Sequence, residues 1–547
     1  METVTSILGG VGLFLLGMAV MTGGMKALAG SALRVVLAKA AATPLRGAFW
    51  GAVVTLLVQS SSATTMTTIG LVSAGLLSFP EGLGLVFGAN VGTTGTGWLV
   101  ALLGVRVSLR AAAFPMIFVG ALLKLVGSGR LAGAGAALAG FALILVGLTT
   151  LQEGMGGLAG RLNPADLPAV LGEAGVAWWT GILGLLVLVM AGIAMTTVMQ
   201  SSTAAIAVTL SALYAGAIGL DQAIALVIGQ NIGTATSSAM AAIGATSTAK
   251  RLAVAYILFK LIVAVIALVL FPLTTPWLVR ISNNIAPVTL LAAYHTAYNV
   301  VGVAILLPLM GPFTSLIEGM VAERGSAFTR YLDPSALPTP AIAVEAVRRT
   351  VAHVLEVLCP SVAARLESAG RGGAAGAPPE LSTVAQASDA LQQARVFLSD
   401  VTDPPASEEE QELLTGTLFA LDYASRFAEV VSEDPQIRPA SDSPEDQRAV
   451  ELCAESMRSA AVAVAVPPVQ STRQAIVQLE RCSKEMDDLR RTHRRATLQA
   501  AGAGALNAGE AIARVEAVRR LERLAHYAWQ AITHLAGAVR EDSAPAQ

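Results

Sequence analysis

One stretch of this chain occurs twice in unbroken register. Residues 51–77 read GAVVTLLVQSSSATTMTTIGLVSAGLL, and GANVGTT follows at 88–94. Residues 192–218 read GIAMTTVMQSSTAAIAVTLSALYAGAI, and GQNIGT follows at 229–234. Gly51 pairs with Gly192, Thr55 with Thr196, Gln59 with Gln200, Gly75 with Gly216, Asn90 with Asn231, Gly92 with Gly233 and Arg110 with Arg251. Every pair is 141 positions apart, so the unit contains no insertion or deletion. A duplication this regular restricts the chain to folds built from two copies of one structural unit.

The copies are apolar except for their shared polar clusters. Gln, Ser, Thr and Asn carry oxygen acceptors with hydroxyl or amide donors and no formal charge. In lipid such groups need partners, so the clusters should face protein or a watery chamber. Small polar residues alone often do no more than pack transmembrane helices. Two in-register copies, each beginning with Gln, point instead to a shared site for a hard cation and an oxyanion. The candidate site residues are Gln59, Ser60, Ser61, Ser62, Thr64, Asn90 and Thr93 from the first copy. The second supplies Gln200, Ser201, Ser202, Thr203, Asn231 and Thr234.

Charge divides the 547 residues into two regions. The first 310 carry 13 Lys/Arg and 6 Asp/Glu; the remainder carries 23 and 32. With 54% hydrophobic and 14% charged residues overall, the first region is an integral membrane part and the second a soluble tail. Nothing in this balance implies a nucleic-acid partner. Apolar runs near 6–25, 83–104, 108–127, 131–150, 176–199, 222–244, 252–272 and 286–309 are long enough to span a bilayer, which takes about 20 residues. Residues 47–78 instead split at Gln59–Ser62 into halves too short to cross, and are read as a re-entrant hairpin tipped by QSSS. A second such hairpin is expected within 180–218. Lys26, Arg34, Lys39 and Arg46 place the 26–46 loop inside, and Lys250 and Arg251 mark another inside loop. Arg110, the mate of Arg251, then falls outside, as an inverted-topology repeat requires. The 151–175 connector is external and the tail cytoplasmic. The early apolar run lacks a basic n-region, unlike a removable signal peptide.

From about 340 the pattern becomes that of amphipathic helices near 341–369, 380–402, 407–432, 445–464, 470–500 and 509–538. Val344, Val347, Val351, Val354, Leu355 and Leu358 recur at helical spacing. Six such helices imply an antiparallel bundle of two similar halves. Cys359, Cys453 and Cys482 form no CxxC. The tail histidines His353, His493, His526 and His534 read as helix-face or solvent residues. His295 and Asn299 lie in the last span; His295 is an ionisable intramembrane residue, kept outside the site. Lys124 and Lys260 are expected to snorkel to an interface. Without GxxxxGK[ST], HExxH or GxSxG, the chain carries no recognisable nucleotide motor or hydrolase centre, and it is not read as an enzyme.

At QSSSATT, GANVGTT, QSST, GQNIGTAT and AAYHTAYN the sequence resembles the sodium/phosphate cotransporter family, the bacterial type II carriers. The resemblance covers about residues 5–310. The second copy departs from the family pattern with QSST for QSSS and GQNIGTAT for GANIGTT, and Tyr298 replaces Phe in the AAYHTAYN element. Many bacterial members carry a C-terminal PhoU-like helical domain, which the tail resembles in helix number and length. The resemblance implies an all-α polytopic membrane protein of two inverted-topology repeats with re-entrant hairpins, followed by a soluble six-helix bundle. The corresponding domains are 1–315 for transport (repeat one about 47–128, repeat two about 188–272), a linker at 316–340, and 341–540 for the PhoU-like part. It further implies symport of inorganic phosphate with sodium across a bacterial inner membrane, without a cofactor. Sodium, as co-substrate, would be held through Gln59, Ser61, Gln200 and Ser202. Membrane lipid is a further partner, and homo-oligomers are compatible with the pattern. Carriage of another oxyanion, or service as a membrane-bound phosphate sensor or scaffold, are the alternatives.

Overall fold

A backbone surrounded by lipid must satisfy its own hydrogen bonds, and helices do so locally. The computed structural model describes residues 2–537 apart from 30–42, 107–109, 161–166, 172–174, 244, 323–325, 371–380, 406, 434–442 and 466–468. Among these described residues every regular element is a helix. The predicted 26–46 loop lies largely outside the described residues, Arg34 and Lys39 among them. Of the predicted 151–175 connector, 161–166 and 172–174, with Asp166 and Glu173, lie outside them, while 151–159 are helical and so extend the preceding helix instead of forming a connector. The chain forms two compact units: 1–72 with 76–323, and 73–75 with 324–547.

The first unit begins with α1 (Glu2–Ala29), α2 (Pro44–Val58), α3 (Ser61–Ser73), α4 (Phe79–Arg106), α5 (Arg110–Val126) and α6 (Gly129–Ala159). It continues with α7 (Trp178–Met199), α8 (Ser202–Tyr214), α9 (Leu220–Gly233), α10 (Ala235–Ala241), α11 (Ser247–Ile281), α12 (Pro287–Leu306) and α13 (Met310–Met320). Six of these, α1, α4, α6, α7, α11 and α12, are long and apolar enough to cross a membrane.

Two expected spans come out differently. The 108–127 run yields α5, 17 residues long; at 1.5 Å per residue it reaches about 25 Å, short of a bilayer core of about 30 Å. The 222–244 run is interrupted at Thr234. There Thr234 Oγ1 donates to the Asn231 carbonyl at 2.6 Å and Thr236 Oγ1 to that of Gly233 at 2.7 Å. Hydroxyls that bond back in this way compete with the helical ladder.

The second unit holds α14 (Pro340–Gly370), α15 (Leu381–Ser399), α16 (Glu408–Glu433), α17 (Pro444–Val464), α18 (Val469–Gly502) and α19 (Ala508–Leu535). These bounds lie within three residues of those read from apolar spacing. Side chains start the helices: Ser443 accepts from the Asp446 amide and Asn507 from the Glu510 amide, each supplying an N-cap. The Val344–Leu358 stripe is buried throughout. His493 is not a surface residue. It is 2% exposed, with Nε2 2.7 Å from Asp446 Oδ1, while Arg514 Nε holds Asp446 Oδ2 at 3.1 Å. A buried carboxylate needs such partners, and they come from α18 and α19, far away in sequence.

Candidate functional site

Each polar motif sits where one helix stops and the next begins. Helix α2 ends at Gln59, with φ 57°, and α7 ends at Gln200, with φ 49°. Among the described residues these are the only non-glycine positions with positive φ. A left-handed backbone is unfavourable for a residue with a Cβ. In each copy the Gln side chain is engaged on both sides. Gln59 Nε2 donates to the Leu56 carbonyl at 2.5 Å and Gln200 Nε2 to that of Thr197 at 2.6 Å. Gln59 Oε1 accepts from Thr96 at 2.5 Å, and Gln200 Oε1 from Ser237 at 3.2 Å. The following serines start the next helices. Ser60 Oγ accepts from the Ala63 amide and Ser201 Oγ from the Ala204 amide, both at 3.2 Å. Every one of these partners is displaced by the same 141 positions as the motifs themselves.

The flanking helices fix this arrangement. Helices α2 and α4 approach so closely that a Cβ on Gly88 would lie 1.9 Å from the Ala48 carbonyl oxygen. In the second copy a Cβ on Gly229 would lie 2.0 Å from the Val189 oxygen. Only glycine permits this contact.

The two copies meet at a polar cavity of about 40 Å³, room for about three water-sized occupants. Ser61, Ser62, Thr65 and Met66 line it from α3. Thr196, Gln200 and Ser202 line it from the second copy's break, with Thr234, Ser237, Ser238 and, on α11, Tyr256. Hydroxyl and amide groups predominate, and no lining residue carries a charge at neutral pH. Their oxygens suit a small hard cation, and their donors suit an oxyanion.

Of the predicted site residues, Ser61, Ser62, Gln200, Ser202 and Thr234 line this cavity. Gln59 faces a separate, mainly apolar space of about 20 Å³ beside Met18, Met21 and Leu148. Ser60 and Ser201 serve as caps. Thr64 is buried and accepts from Thr55 Oγ1 at 3.0 Å; Thr203 is also buried. Thr93 Oγ1 bonds back to the Ala89 carbonyl at 2.8 Å. The two asparagines are buried against later helices. Asn90 Oδ1 accepts from the Tyr256 hydroxyl at 3.2 Å, while Asn231 Oδ1 accepts from Lys260 Nζ. Asn231 Nδ2 donates to Asn299 Oδ1 at 3.3 Å, and Asn299 Nδ2 to the His295 carbonyl at 2.8 Å.

Lys260 corrects an expectation. It does not reach toward an interface but is 2% exposed and bonded to Asn231. Its signal was present in the sequence: it is the one charged residue in the interior of the apolar helix α11, apart from Lys250 and Arg251 near the start and Arg280 near the end. Tyr256, one turn earlier, carries no comparable signal.

A helical membrane unit with duplicated polar helix breaks around one cavity defines a class, the repeat-built carriers of small solutes. The sequence profile of the Na+/Pi-cotransporter family matches residues 13–153 and 184–291, and through this membrane part the chain belongs to that family. It is 29% identical over 311 residues to "Uncharacterized protein YqeW" of Bacillus subtilis, covering 57% of this chain and 96% of that one. It is 28% identical over 361 residues to "Putative inorganic phosphate export protein YjbB" of Escherichia coli, covering 64% of this chain and 63% of the relative. A shorter match, 41% over 73 residues, joins it to "Sodium-dependent phosphate transport protein 2A" of Oryctolagus cuniculus, covering 13% of this chain and 11% of that one. No solved structure matches the chain significantly.

Proposed function

We propose that the protein is a sodium-coupled symporter of inorganic phosphate, working by alternating access. The observation that carries this reading is the cavity in which Ser61 and Ser62 of one copy face Gln200 and Ser202 of the other. Family membership supports phosphate as the anion. Sodium is held by Ser61, Gln200 and Ser202, and Gln59, turned toward Thr96 in this conformation, joins them when the copies rock. Ser62 donates to the phosphate, and Thr234, whose hydroxyl hydrogen goes to the Asn231 carbonyl, turns an acceptor oxygen to the chamber. Asn90 and Asn231 hold α11 and α12 against the site. Charge neutralisation explains the coupling: an uncompensated anion inside a bilayer is costly, so cation and anion enter together.

The two copies are inverted with respect to one another in the membrane, their broken helices forming re-entrant hairpins around the site. Residues 1–315 are the transport part, 316–340 a linker, and 341–540 a PhoU-like cytoplasmic domain that restrains or reports flux. The setting is a bacterial inner membrane. Direction follows the combined gradients, which accommodates the export named for one relative and the sodium dependence named for another.

The test is radiolabelled phosphate flux in proteoliposomes with and without an imposed sodium gradient. Sodium-driven accumulation that falls at least tenfold in Ser61→Ala and Ser202→Ala is the expected result. Equal flux without sodium would refute the coupling, and undiminished flux in both variants would refute the site.

A further inference from the structure

The two copies treat their paired asparagines differently. Asn90 Oδ1 accepts from a neutral hydroxyl, that of Tyr256, at 3.2 Å. Asn231 Oδ1 accepts from an ammonium, that of Lys260. Lys260 is 2% exposed, and among the described residues no carboxylate pairs with it. Its surroundings are the Asn231 amide oxygen and the ring of Tyr256, whose centroid lies 5.3 Å from Nζ. An amide oxygen and an aromatic face are a setting in which proteins hold a monovalent cation.

A second element of the sequence offers a comparison. Tyr256-x-x-Phe259-Lys260 on α11 parallels His295-x-x-Tyr298-Asn299 on α12, each closing on a polar residue four positions after an aromatic or imidazole ring. Both closing residues converge on Asn231, Lys260 on its oxygen and Asn299 on its nitrogen. One element thus ends in an amide and the other in an ammonium. Were both neutral, the Asn231 oxygen would be free to ligate an ion.

We propose that Lys260 is a tethered cation, occupying at Asn231 the place a sodium ion would otherwise take. The charge is well placed to matter. Asn231 lies one turn before Thr234, which lines the cavity and bonds back to the Asn231 carbonyl. Tyr256, one turn before Lys260, lines the cavity too. The positive charge of a protonated Lys260 behind one wall offsets part of an entering oxyanion, so fewer mobile ions must accompany it. This inference deepens the symport reading and rests on it for the meaning of the saved ion. The binding it predicts can be measured independently.

The experiment counts sodium-22 bound per purified protein at saturation, in detergent without phosphate, for the wild type and for Lys260→Gln, Lys260→Met and Lys260→Arg. The expected result is one additional sodium in the Gln and Met variants and the wild-type number in the Arg variant. An unchanged number in folded Gln and Met variants overturns the proposal. Should neither elute as a single species, Lys260→Asn, which places on α11 the amide that closes the parallel element on α12, decides. One additional sodium is expected, and the wild-type number overturns the proposal. These counts do not require that phosphate move. A wild type that carries no phosphate sinks the symport reading and leaves the Lys260 result to stand or fall by itself. Where phosphate does move, the Gln variant should show a sodium Hill coefficient higher by about one.

Discussion

Glutamine is a poor choice for a left-handed backbone, and that makes Gln59 and Gln200 a sharp test of the site. Replacing Gln59 by glycine removes a conformational penalty of about 1–2 kcal/mol at φ 57°. It adds about 0.4–1 kcal/mol of unfolded-state entropy. It also loses the hydrogen bonds to Thr96 and Leu56, each worth about 1 kcal/mol. The sum places this variant about 1 kcal/mol below the wild type. Replacing Gln59 by alanine loses the same bonds but keeps the backbone penalty, so that variant falls about 2 kcal/mol below the wild type. The expected order of stability is therefore wild type, then Gln59→Gly, then Gln59→Ala, in steps of about 1 kcal/mol. Thermal unfolding in detergent reads this as a gap of roughly 2 °C between the two variants. On the proposed role of the Gln59 side chain, phosphate flux should fall at least tenfold in both. The same order is expected at Gln200. An alanine variant as stable as the glycine variant would show that the left-handed turn is not where the structure puts it.

Three further outcomes are expected. Gly88→Ala and Gly229→Ala push a Cβ into a backbone oxygen about 2 Å away, and overpacking of about 1–3 kcal/mol should lower the melting midpoint of each. Asp446→Ala strands the buried His493 and the half-buried Arg514 and should destabilise the second unit by about 3–5 kcal/mol, read from its denaturant midpoint. Burial pushes the Cys359 thiol up to about 12 and the Cys482 thiol to about 11, and raises that of Cys453. Maleimide at pH 8 should therefore leave the folded unit largely unlabelled and modify all three cysteines after unfolding. The sign of the linkage follows. The folded unit keeps protons that the unfolded chain releases, so its stability should decline as pH rises above the ordinary thiol value of 9.0.

Much of this organisation was legible in the residues. Spacing placed the tail helices because an apolar stripe such as Val344–Leu358 reports which face is covered. The fixed register of the two copies located both helix breaks. What spacing could not give was the partner. Ser60 and Ser201 belong to the same motif as Ser61 and Ser202, yet they cap helices, a distinction of backbone geometry. Gln59 and Gln200 hold equivalent positions in the two copies, yet only Gln200 lines the shared cavity. Lys260 looked able to snorkel because its stem is long and apolar. Its contact with Asn231 joins residues from different helices, and one-dimensional periodicity does not record such a pairing. The break at Thr234 depends on hydroxyls folding back on their own helix, which competes with a run of otherwise good apolar spacing.

The glycine contacts also bear on how the chain could be assembled. Gly88 fastens to Ala48 and Gly229 to Val189, so each fastening closes inside its own copy and neither borrows a residue from the other. A gene divided between residues 159 and 178 should therefore yield two polypeptides that each form their own clasp and reunite when co-expressed. The duplication that built the chain would need only to have joined two parts already able to stand.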